Sequence, residues 1–381
     1  MNRPSAAWDL DVLRPTIVEI SLSRLTENLR AIRAAAAPAA VMPILKANAY
    51  GHGLVEVARH LVSVGAGSLG VAFLEEAVAL RRAGIDVPIL VMGGILGDQI
   101  PIFLRHQLTL TASSLDKLRQ IDEAARDLGV TARVHLKIDT GMERIGVHYY
   151  NAHALLERAH ECRHVAVEGI YSHFASADAV DLGYSRLQLA RFLDVLQWYD
   201  KQGATPPTRH MANSGAILQL PESHLDLVRP GILLYGVYPS DDVRRTITVR
   251  PALSWKSRVV YFKVVMPGHP VSYGSTWQSD HPVRVVTVPV GYGDGYFRAL
   301  SNVAHVLIRG RKYPVVGRVC MDQIMVNIEW DSAYNGDPVT LLGADGGEAI
   351  TCEDLAAWAG TIPYEVLTNI NTRVPRVYVD A

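Results

Sequence analysis

An alternation of strand-like and helical runs is the feature that most constrains how this chain can fold. Eight short apolar runs recur between residues 41 and 235, and stretches of helical periodicity separate them. Strands separated by helices lie parallel in one sheet, and eight such units over about 200 to 250 residues are typical of a (β/α)8 TIM-like barrel. The eight runs are 41–45, 69–72, 88–92, 108–111, 134–138, 165–173, 209–213 and 225–235.

Beyond about residue 240 the pattern changes to short β-rich runs. Segments such as SWKSRVVYFKVV, RVVTVPV and AHVLIRG are separated by turn residues, and one helix is predicted near 353–359. This spacing predicts a mostly antiparallel β domain. We therefore expect an α/β protein with a barrel domain over 1–245 and a β-rich C-terminal domain over 246–381. A first strand at about 16–21 is a candidate to pair with the C-terminal domain.

Composition excludes several classes of function. The net charge is −1 with acids and bases interspersed, so there is no basic face for nucleic acid. No run approaches the roughly eighteen apolar residues of a membrane helix, and the N-terminal stretch 1–15 lacks the apolar core of a secretory signal. The three cysteines lie far apart, which indicates free thiols and neither disulfides nor a zinc site. We predict a cytoplasmic protein without a metal, and without nucleic acid or membrane as a partner.

Two short motifs are better explained as turns. Residues 65–70 match GxGxxG, but a helix precedes them and a strand follows, which is the reverse of a dinucleotide site. Asp139-Thr-Gly141 matches an aspartic-protease signature, yet the chain has no second copy to complete the carboxylate pair. We interpret this motif as a loop after a barrel strand.

The string PILKANAYGHG, residues 43–53, places Lys46 at the end of an apolar strand and before a glycine-rich turn. Desolvation lowers the pKa of a lysine, and an unprotonated amine can form a Schiff base. Spacing alone favours a lysine that extends from the barrel mouth into solvent. The complete string, however, closely resembles the pyridoxal-phosphate (PLP) lysine motif of the alanine racemases.

The resemblance to this family extends over most of the chain. It implies the PLP-dependent interconversion of L- and D-alanine by two proton-transfer residues, which supplies D-alanine for peptidoglycan. One small departure is Gly293, where alanine is common in the family. The further blocks, in the family's order and spacing, are HLKIDTGMERIGV (135–147), GIYSHFASAD (169–178), HMANSGA (210–216), VRPGILLYG (228–236), VSYGSTW (271–277), VGYGDGYFR (290–298), VGRVCMDQIMVNI (316–328) and PYEVLTNINTRVPRVY (363–378).

The resemblance implies a set of cofactor-binding residues. Lys46 would hold PLP and exchange the Cα proton on one face, and Arg229 would face the pyridine nitrogen. Arginine keeps its proton, so that nitrogen would stay unprotonated and the ring would withdraw electrons less strongly, which suppresses transamination and other side reactions. The other implied cofactor-binding residues are Tyr50, His173, Asn213, Ser214, Gly231, Ile232 and Tyr364.

Tyr273, in the string SYGSTW, matches the second proton-transfer residue of the family. A free tyrosine has a pKa near 10, and His173 is the implied link through which the charge of Arg229 would lower it. Two bases on opposite faces of the Cα carbon explain inversion. In the family this tyrosine serves the PLP of the other subunit, so the resemblance implies a homodimer with shared active sites.

The implied substrate-binding residues contact the carboxylate and the side chain of alanine. Arg144 would bind the carboxylate with its guanidinium, and Met321 would bind it with its backbone N–H. Lys137 matches a lysine that is often carbamylated in the family, and the added carboxylate would orient Arg144. Tyr292 and Tyr364 match residues that narrow the substrate entrance. Taken singly, each of these side chains also fits an ordinary structural role.

Three other functions share features with this chain. An amino-acid decarboxylase on the same barrel uses a glutamate where Arg229 stands, and the tyrosine of SYGSTW argues against it. A non-catalytic PLP-binding module resembles the barrel alone, whereas a β-rich domain follows here. A racemase of broader range, acting on serine or lysine, stays open because it would use the same scaffold.

Overall fold

The chain divides into two units, and a computed structural model describes residues 14–380. The barrel unit comprises Leu25–Ala49 and Gly53–Val249. The β unit comprises the described residues up to Arg24, the segment Tyr50–His52, and the described residues from Arg250 onward. The first thirteen residues of the N-terminal stretch, interpreted above as lacking a secretory signal, lie outside the described residues.

Strands and helices alternate from the start of the described chain. The first strand, β1 (Ile17–Ser21), belongs to the β unit. The strands of the barrel unit are β2 (Ala40–Val41), β3 (Leu69–Val71), β4 (Ile89–Val91), β5 (Leu110–Ala112), β6 (Ala132–Asp139), β7 (Val147–His148), β8 (Val165–Tyr171), β9 (Thr208–His210) and β10 (Leu227–Val228).

Eight of these strands form a closed parallel ring, which confirms the predicted barrel. Hydrogen-bonded neighbours follow the order β2-β10-β9-β8-β6-β5, β3 pairs with β4, and β7 adds to β6. Two bridges complete the ring: Leu90–Thr109 joins β4 to β5, and Ile44–Gly70 joins the segment after β2 to β3. Strands β3, β4 and β5 are buried along their whole length, as expected for parallel strands that helices cover.

Helices follow the barrel strands and bury one apolar face each. In α6 (Leu115–Leu128) the buried residues Leu118, Ile121 and Ala125 share a face, the side chain of Ser114 caps the first turn, and Gly129 ends the helix in a left-handed conformation. The other helices of this region are α1 (Leu22–Ala36), α3 (Leu54–Ser63), α4 (Leu74–Arg82), α5 (Ile100–Arg105), α7 (Ala152–Glu161), α8 (Gly183–Lys201) and α9 (Ser214–Gln219), and the segment labelled α2 (Lys46–Tyr50) is a turn whose inner residues have left-handed φ and ψ.

The last predicted barrel strand is shorter than the apolar run 225–235. Strand β10 ends at Val228, and a 3-10 turn, Ile232–Tyr235, follows it. Pro230 has no N–H to donate to a ladder, and Gly231 adopts φ −99° and ψ −108°, outside the β region. The chain therefore turns at the carboxyl end of the barrel, where the active sites of such folds lie.

The β unit is mostly antiparallel, as predicted. One sheet has the order β15-β14-β17-β11-β1-β19, with β18 paired to β17. A second sheet has the order β12-β13-β16. Within the described residues, the one parallel pair of the β unit is β1 with β19, in the first sheet. Its further elements are β11 (Leu253–Arg258), β12 (Tyr261–Val265), β13 (Val283–Val288), β14 (His305–Ile308), β15 (Arg311–Pro314), β16 (Ile324–Asn327), β17 (Pro338–Asp345), β18 (Glu348–Ile350), β19 (Arg376–Val379), α10 (Cys352–Ala359) and α11 (Pro363–Asn369).

Each unit has its own core, and the β unit holds a second helix beyond the predicted one. Trp255 and Tyr296 are fully buried with ring centroids 5.8 Å apart, and valines pack between the strands of the smaller sheet. Helix α11 begins at Pro363, a residue that is favourable in a first helical turn. Across residues 14–380 no helix has both the length and the hydropathy needed to cross a membrane.

Candidate active site

Lys46 begins a turn whose backbone is left-handed. Residues 47–49 have φ between 53° and 55°, a conformation that costs about 1–2 kcal/mol for each residue other than glycine. Two side chains hold the turn. Glu76 Oε1 accepts the N–H of Ala47 at 2.6 Å, and Asn48 Oδ1 accepts the N–H of Leu54 at 2.8 Å. Such strain persists only where the surroundings impose it, so the position of Lys46 is closely determined.

The amine of Lys46 has a lowered pKa. Lys46 is open to solvent in the isolated chain, yet the surrounding protein desolvates its ammonium group and lowers the pKa. The positive charge of Arg144 lowers it further, and the carboxylate of Glu76 opposes both effects. A larger unprotonated fraction makes this amine a better nucleophile and base.

Lys137 is a second lysine with a lowered pKa, inside the barrel. It is buried, and its Nζ lies 4.5 Å from the centroid of the Tyr171 ring. Burial lowers the pKa of Lys137 well below its ordinary value, and the charges of Arg229 and Arg144 act in the same direction, against Asp139. Burial therefore favours the uncharged form of this amine.

Arg229 donates hydrogen bonds to two histidines, one of which contacts a third. Its Nη1 donates to His210 Nδ1 at 2.8 Å and its Nη2 donates to His173 Nδ1 at 3.2 Å, while His210 Nε2 lies 2.8 Å from His135 Nδ1. Because a guanidinium can only donate, the contacted nitrogens of His210 and His173 carry lone pairs. Neutral forms of both rings then bear their proton on Nε2, so His210 donates to His135 and His173 offers a free Nε2–H.

The charges of this cluster follow from burial. Burial, reinforced by the charge of Arg229, lowers the pKa of His210 and His173 well below the ordinary value and that of His135 to about 4. Burial also lowers the pKa of Arg229 to about 10, so the arginine is still positive at neutral pH. The cluster therefore contains a buried positive charge surrounded by neutral imidazoles and by the carbonyls of Ser172 and Met211.

Ser214 joins the turns that follow β9 and β10. Its Oγ accepts the N–H of Gly231 at 3.0 Å and that of Leu233 at 3.3 Å. Asn213 caps α9, since its Oδ1 accepts the N–H of Ala216 at 3.0 Å. These bonds fix the two turns against each other at the carboxyl end of the barrel.

The same two turns present backbone donors without acceptors. Among the described residues, the N–H groups of Ser214, Gly215 and Ile232 have no hydrogen-bond acceptor, although all three residues are buried. Buried N–H groups are nearly always paired, and converging N–H groups at a turn bind phosphate. The donor set therefore fits an anion such as the phosphate of PLP.

Asp139 holds the loop that carries Arg144. Its Oδ1 accepts the N–H groups of Gly141, Met142 and Glu143 at 2.8 to 3.2 Å, and its Oδ2 accepts that of Arg144 at 3.2 Å. Burial opposes ionisation of Asp139, but these bonds outweigh it and lower the pKa. The DTG motif is thus a loop anchor at the end of β6.

The other predicted site residues lie in the β unit. Tyr273 is 72 % exposed in the 3-10 turn Tyr273–Ser275. The rings of Tyr50 and Tyr364 lie 6.2 Å apart, and burial together with Tyr364 raises the pKa of Tyr50. Met321 is exposed, and its carbonyl accepts the N–H of Gly293, next to Tyr292, at 2.9 Å.

Sequence reasoning did not single out His135, His210 or Tyr171. His135, Lys137 and Asp139 alternate along β6, so their side chains share one face of the strand. That period of two was visible in the sequence. The contacts of His210 with Arg229 and His135 needed the tertiary structure, because 19 and 75 residues separate them in the chain.

Comparison with known proteins gives concordant results. Residues 20–239 match the family model "Alanine racemase, N-terminal domain", and residues 252–378 match "Alanine racemase, C-terminal domain". The chain is 46 % identical to an alanine racemase of Carboxydothermus hydrogenoformans, over 96 % of this chain and 100 % of the relative.

Solved structures give the same result. An alanine racemase of Clostridium difficile superposes with a TM-score of 0.91 at 38 % identity, covering 97 % of this chain and 96 % of that one. An alanine racemase of Bartonella henselae with covalently bound pyridoxal phosphate has a TM-score of 0.87 at 27 % identity, covering 96 % and 99 %.

Proposed function

The chain belongs to the alanine racemase family, and from this premise we propose that Lys46 and Tyr273 move the Cα proton of alanine on opposite faces. The activity of the family is the PLP-dependent interconversion of L- and D-alanine. When bound, PLP supplies an electron-withdrawing ring that acidifies the Cα–H of an attached amino acid. The observation that carries the proposal is the pairing, at one end of the barrel, of a lysine of lowered pKa with three buried N–H groups that lack acceptors.

The residues that would hold PLP lie at the carboxyl ends of the barrel strands. The Lys46 amine would bind the cofactor covalently, and the N–H groups of Ser214, Gly215 and Ile232 would bind its phosphate. Asn213 and Ser214 keep those turns in place through the bonds described above. We assign Tyr50 and Tyr364 to the cofactor as well, on the family resemblance.

Arg229 would face the pyridine nitrogen. It donates and cannot protonate that nitrogen, and the imidazoles behind it are neutral and offer no second positive charge. Electron withdrawal by the ring would therefore be moderate, which favours returning the proton to Cα over other fates. A decarboxylase of this fold, which uses an acid here, is disfavoured for the same reason.

His173 connects the charge of Arg229 to the second base. Its Nδ1 accepts from Arg229, so its Nε2–H is free to donate. A phenol oxygen that accepts this bond would be held in place to exchange a proton with the substrate. We assign that oxygen to Tyr273.

We propose that Tyr273 acts in the active site of a second copy of the chain. Strand β12 is an edge of the smaller sheet, and its Tyr261, Phe262 and Val264 are 55 %, 41 % and 47 % exposed. An exposed apolar edge strand beside an exposed catalytic tyrosine supports a covered interface. A homodimer with two equivalent shared sites satisfies this arrangement.

The carboxylate of alanine would bind to Arg144 and to the N–H of Met321. Among the described residues that N–H has no acceptor, which leaves it available to a substrate. The lowered pKa of Lys137 favours the uncharged amine, the form that would add CO2 to give a carbamate with loss of one proton. The carbamate would give Arg144 an anionic partner, and Tyr292 would border the substrate.

Chiral chromatography tests the proposed function. PLP-loaded protein would be incubated separately with L-alanine, L-serine and L-lysine, and the D-enantiomers would be measured over time. We expect D-alanine to form far faster than the others, and the Lys46→Ala variant to be colourless and inactive. Comparable rates on all three amino acids would instead support the broad-range racemase, and a wild-type protein that stays colourless with PLP would contradict the proposal.

A further inference from the structure

A fully buried carboxylate lies beneath the turn that carries Met321. Asp294 is 0 % exposed, and it accepts hydrogen bonds from Arg14 Nη2 at 2.5 Å, Arg373 Nε at 2.6 Å and the N–H of Gly291 at 3.0 Å. A buried carboxylate needs such partners, and removing one of them leaves an uncompensated charge. Asp294 therefore holds the guanidinium of Arg373 in one orientation.

The other edge of the same guanidinium contacts the turn itself. Arg373 Nη2 donates to Asp322 Oδ1 at 2.7 Å and to the carbonyl of Met321 at 3.4 Å. Arg373 thus bridges a rigid buried anchor and an exposed turn. Two arginines face two aspartates in this cluster, so its net charge is zero and it orients the turn without adding an attractive field for anions.

Gly293 provides the space for this bridge. A Cβ atom at this position would lie 2.7 Å from Arg373 Nη2 and 2.9 Å from its Cζ, closer than Cβ atoms approach other atoms. Gly293 does not have a positive φ, so its backbone conformation is open to alanine. An alanine Cβ at 293 would therefore require the guanidinium of Arg373 to shift, and it would also lie 3.1 Å from the carbonyl oxygen of Met321.

These contacts hold two consecutive peptide units: the Cys320 carbonyl shares one peptide plane with the Met321 N–H, and the Met321 carbonyl belongs to the next unit. The Met321 carbonyl accepts from the N–H of Gly293 and from Arg373, and the neighbouring carbonyl of Cys320 accepts from the N–H of Tyr292 at 3.0 Å. The Met321 N–H, by contrast, has no acceptor among the described residues. The turn is anchored through its carbonyl oxygens, which leaves that donor free.

We propose that Arg373 is a positioning residue for substrate binding. Its guanidinium is held by Asp294 and lies in the space next to Gly293. From there it fixes the turn 320–322 so that the Met321 N–H faces the carboxylate of alanine. This inference rests on the proposed function, which assigns that N–H to the substrate. It adds Arg373, Asp294 and Gly293, which do not contact alanine but set the geometry of Met321, which would.

The test compares four variants with the PLP-loaded wild-type enzyme: Arg373→Ala, Arg373→Lys, Gly293→Ala and the double variant Gly293→Ala/Arg373→Ala. The measurements are KM and kcat for L-alanine and the inhibition constant of propionate, which has the carboxylate of alanine and lacks its amine. We expect Arg373→Ala to raise KM and the inhibition constant about tenfold, since small misplacements of a positioning group have effects of this size or larger. Lysine should rescue part of the loss because it reaches one carboxylate.

Gly293→Ala distinguishes positioning from a general structural role. Alone, it should displace the guanidinium and raise KM as Arg373→Ala does. In the Arg373→Ala background its effect should be smaller, because the closest contact of the added Cβ, with the guanidinium, is absent and only the contact with the Met321 carbonyl oxygen is left. Lys312→Met, which removes an exposed ion pair with Glu348 in the same unit, serves as the control and should leave both constants unchanged.

Asp322→Asn provides a second variant if Arg373→Ala does not fold, because it leaves the buried pair with Asp294 intact; we expect it to raise KM about threefold. Unchanged KM and propionate inhibition in folded Arg373→Ala or Asp322→Asn protein, or additive effects of Gly293→Ala and Arg373→Ala, would overturn the inference. In those cases the wild-type enzyme would still bind PLP and racemise alanine. Loss of PLP binding or of racemisation in the wild type would overturn the proposed function instead.

Discussion

At the residue scale, the protonation pattern of the candidate site follows from a single chemical property of Arg229. A guanidinium has no acceptor, so every nitrogen that it contacts must carry a lone pair. His210 and His173 are therefore held as specific tautomers, and burial keeps both neutral. The free Nε2–H of His173 is the consequence that matters for catalysis, because it can stabilise a phenolate.

Substitution of Tyr273 tests this consequence. Tyr273→Phe should bind PLP as the wild type does but lose racemisation by about 10²- to 10⁴-fold, the usual contribution of a general acid or base. In D2O, one enantiomer should still exchange its Cα proton through Lys46 while inversion is slow. Tyr334→Phe, which alters another exposed tyrosine of the β unit, should keep full activity. Normal racemisation by Tyr273→Phe would exclude this residue from proton transfer.

At the element scale, the end of strand β6 positions the loop that carries Arg144. The strand directs His135, Lys137 and Asp139 to the same side, and Asp139 then gathers four consecutive N–H groups of the following loop. The loop is also held from α8, since Arg191 Nη1 donates to the carbonyl of Thr140 at 2.9 Å. The position of Arg144 thus depends on a strand end and on a helix.

Asp139→Asn should weaken the hydrogen bonds that hold the Arg144 loop at the end of β6. The amide retains one acceptor but loses the negative charge, so we expect a loss of stability on the order of 2 kcal/mol and a rise of about tenfold in KM for alanine. Thermal melting and steady-state kinetics measure the two effects. Asp181→Asn is the matched control, because Asp181 is exposed and accepts a single N–H, that of Gly183. Equal effects of the two substitutions would contradict the role assigned to Asp139.

At the scale of the whole molecule, three histidines held neutral in one barrel make stability depend on pH. His135, His173 and His210 have a pKa below the value of about 6.5 that they take when unfolded. Below pH 6.5 the unfolded chain binds protons that the folded chain does not, so stability falls as pH falls. For His135 this continues down to its own pKa of about 4. The pKa of His281 is raised, which acts in the opposite sense, but His281 is exposed.

Thermal melting between pH 7 and pH 5 measures this dependence. We expect a progressive loss of stability below pH 6.5, to which each buried histidine contributes at most about 1.4 kcal/mol per pH unit. His135→Gln should make the dependence shallower, whereas substitution of the exposed His153 should leave it unchanged. A pH dependence unaffected by His135→Gln would show that His135 does not titrate in this way.

Complementation tests the proposed homodimer with shared active sites. Lys46→Ala and Tyr273→Phe chains, each inactive alone, should recover activity when refolded or exchanged together. If sites are shared across a homodimer, half of the random dimers are mixed and each has one intact site, which gives about a quarter of wild-type activity. Mixtures of Lys46→Ala with the Lys46→Ala/Tyr273→Phe double variant contain no intact site and should stay inactive. Mixed dimers without activity would mean that the sites are not shared.

The sequence by itself determined the architecture and the identity of the family. Eight apolar runs separated by helical periodicity predicted the closed parallel barrel, and turn-rich β runs predicted the antiparallel domain, because both patterns are local and repeat along the chain. The motif around Lys46 predicted the cofactor, since a long string of specific residues is seldom matched by chance. Family membership then followed from motif order over the whole chain.

Only the tertiary structure decided how the site's charges and donors are arranged. The chain from Arg229 through His210 to His135, the N–H groups without acceptors near Ser214, and the bridge from Asp294 through Arg373 join residues far apart in sequence. Protonation states and free donors depend on burial and on neighbours across the fold, which no local pattern encodes. Gly293 illustrates the difference. The group nearest to a Cβ atom added at this position is the guanidinium of Arg373, which lies 80 residues later in the chain.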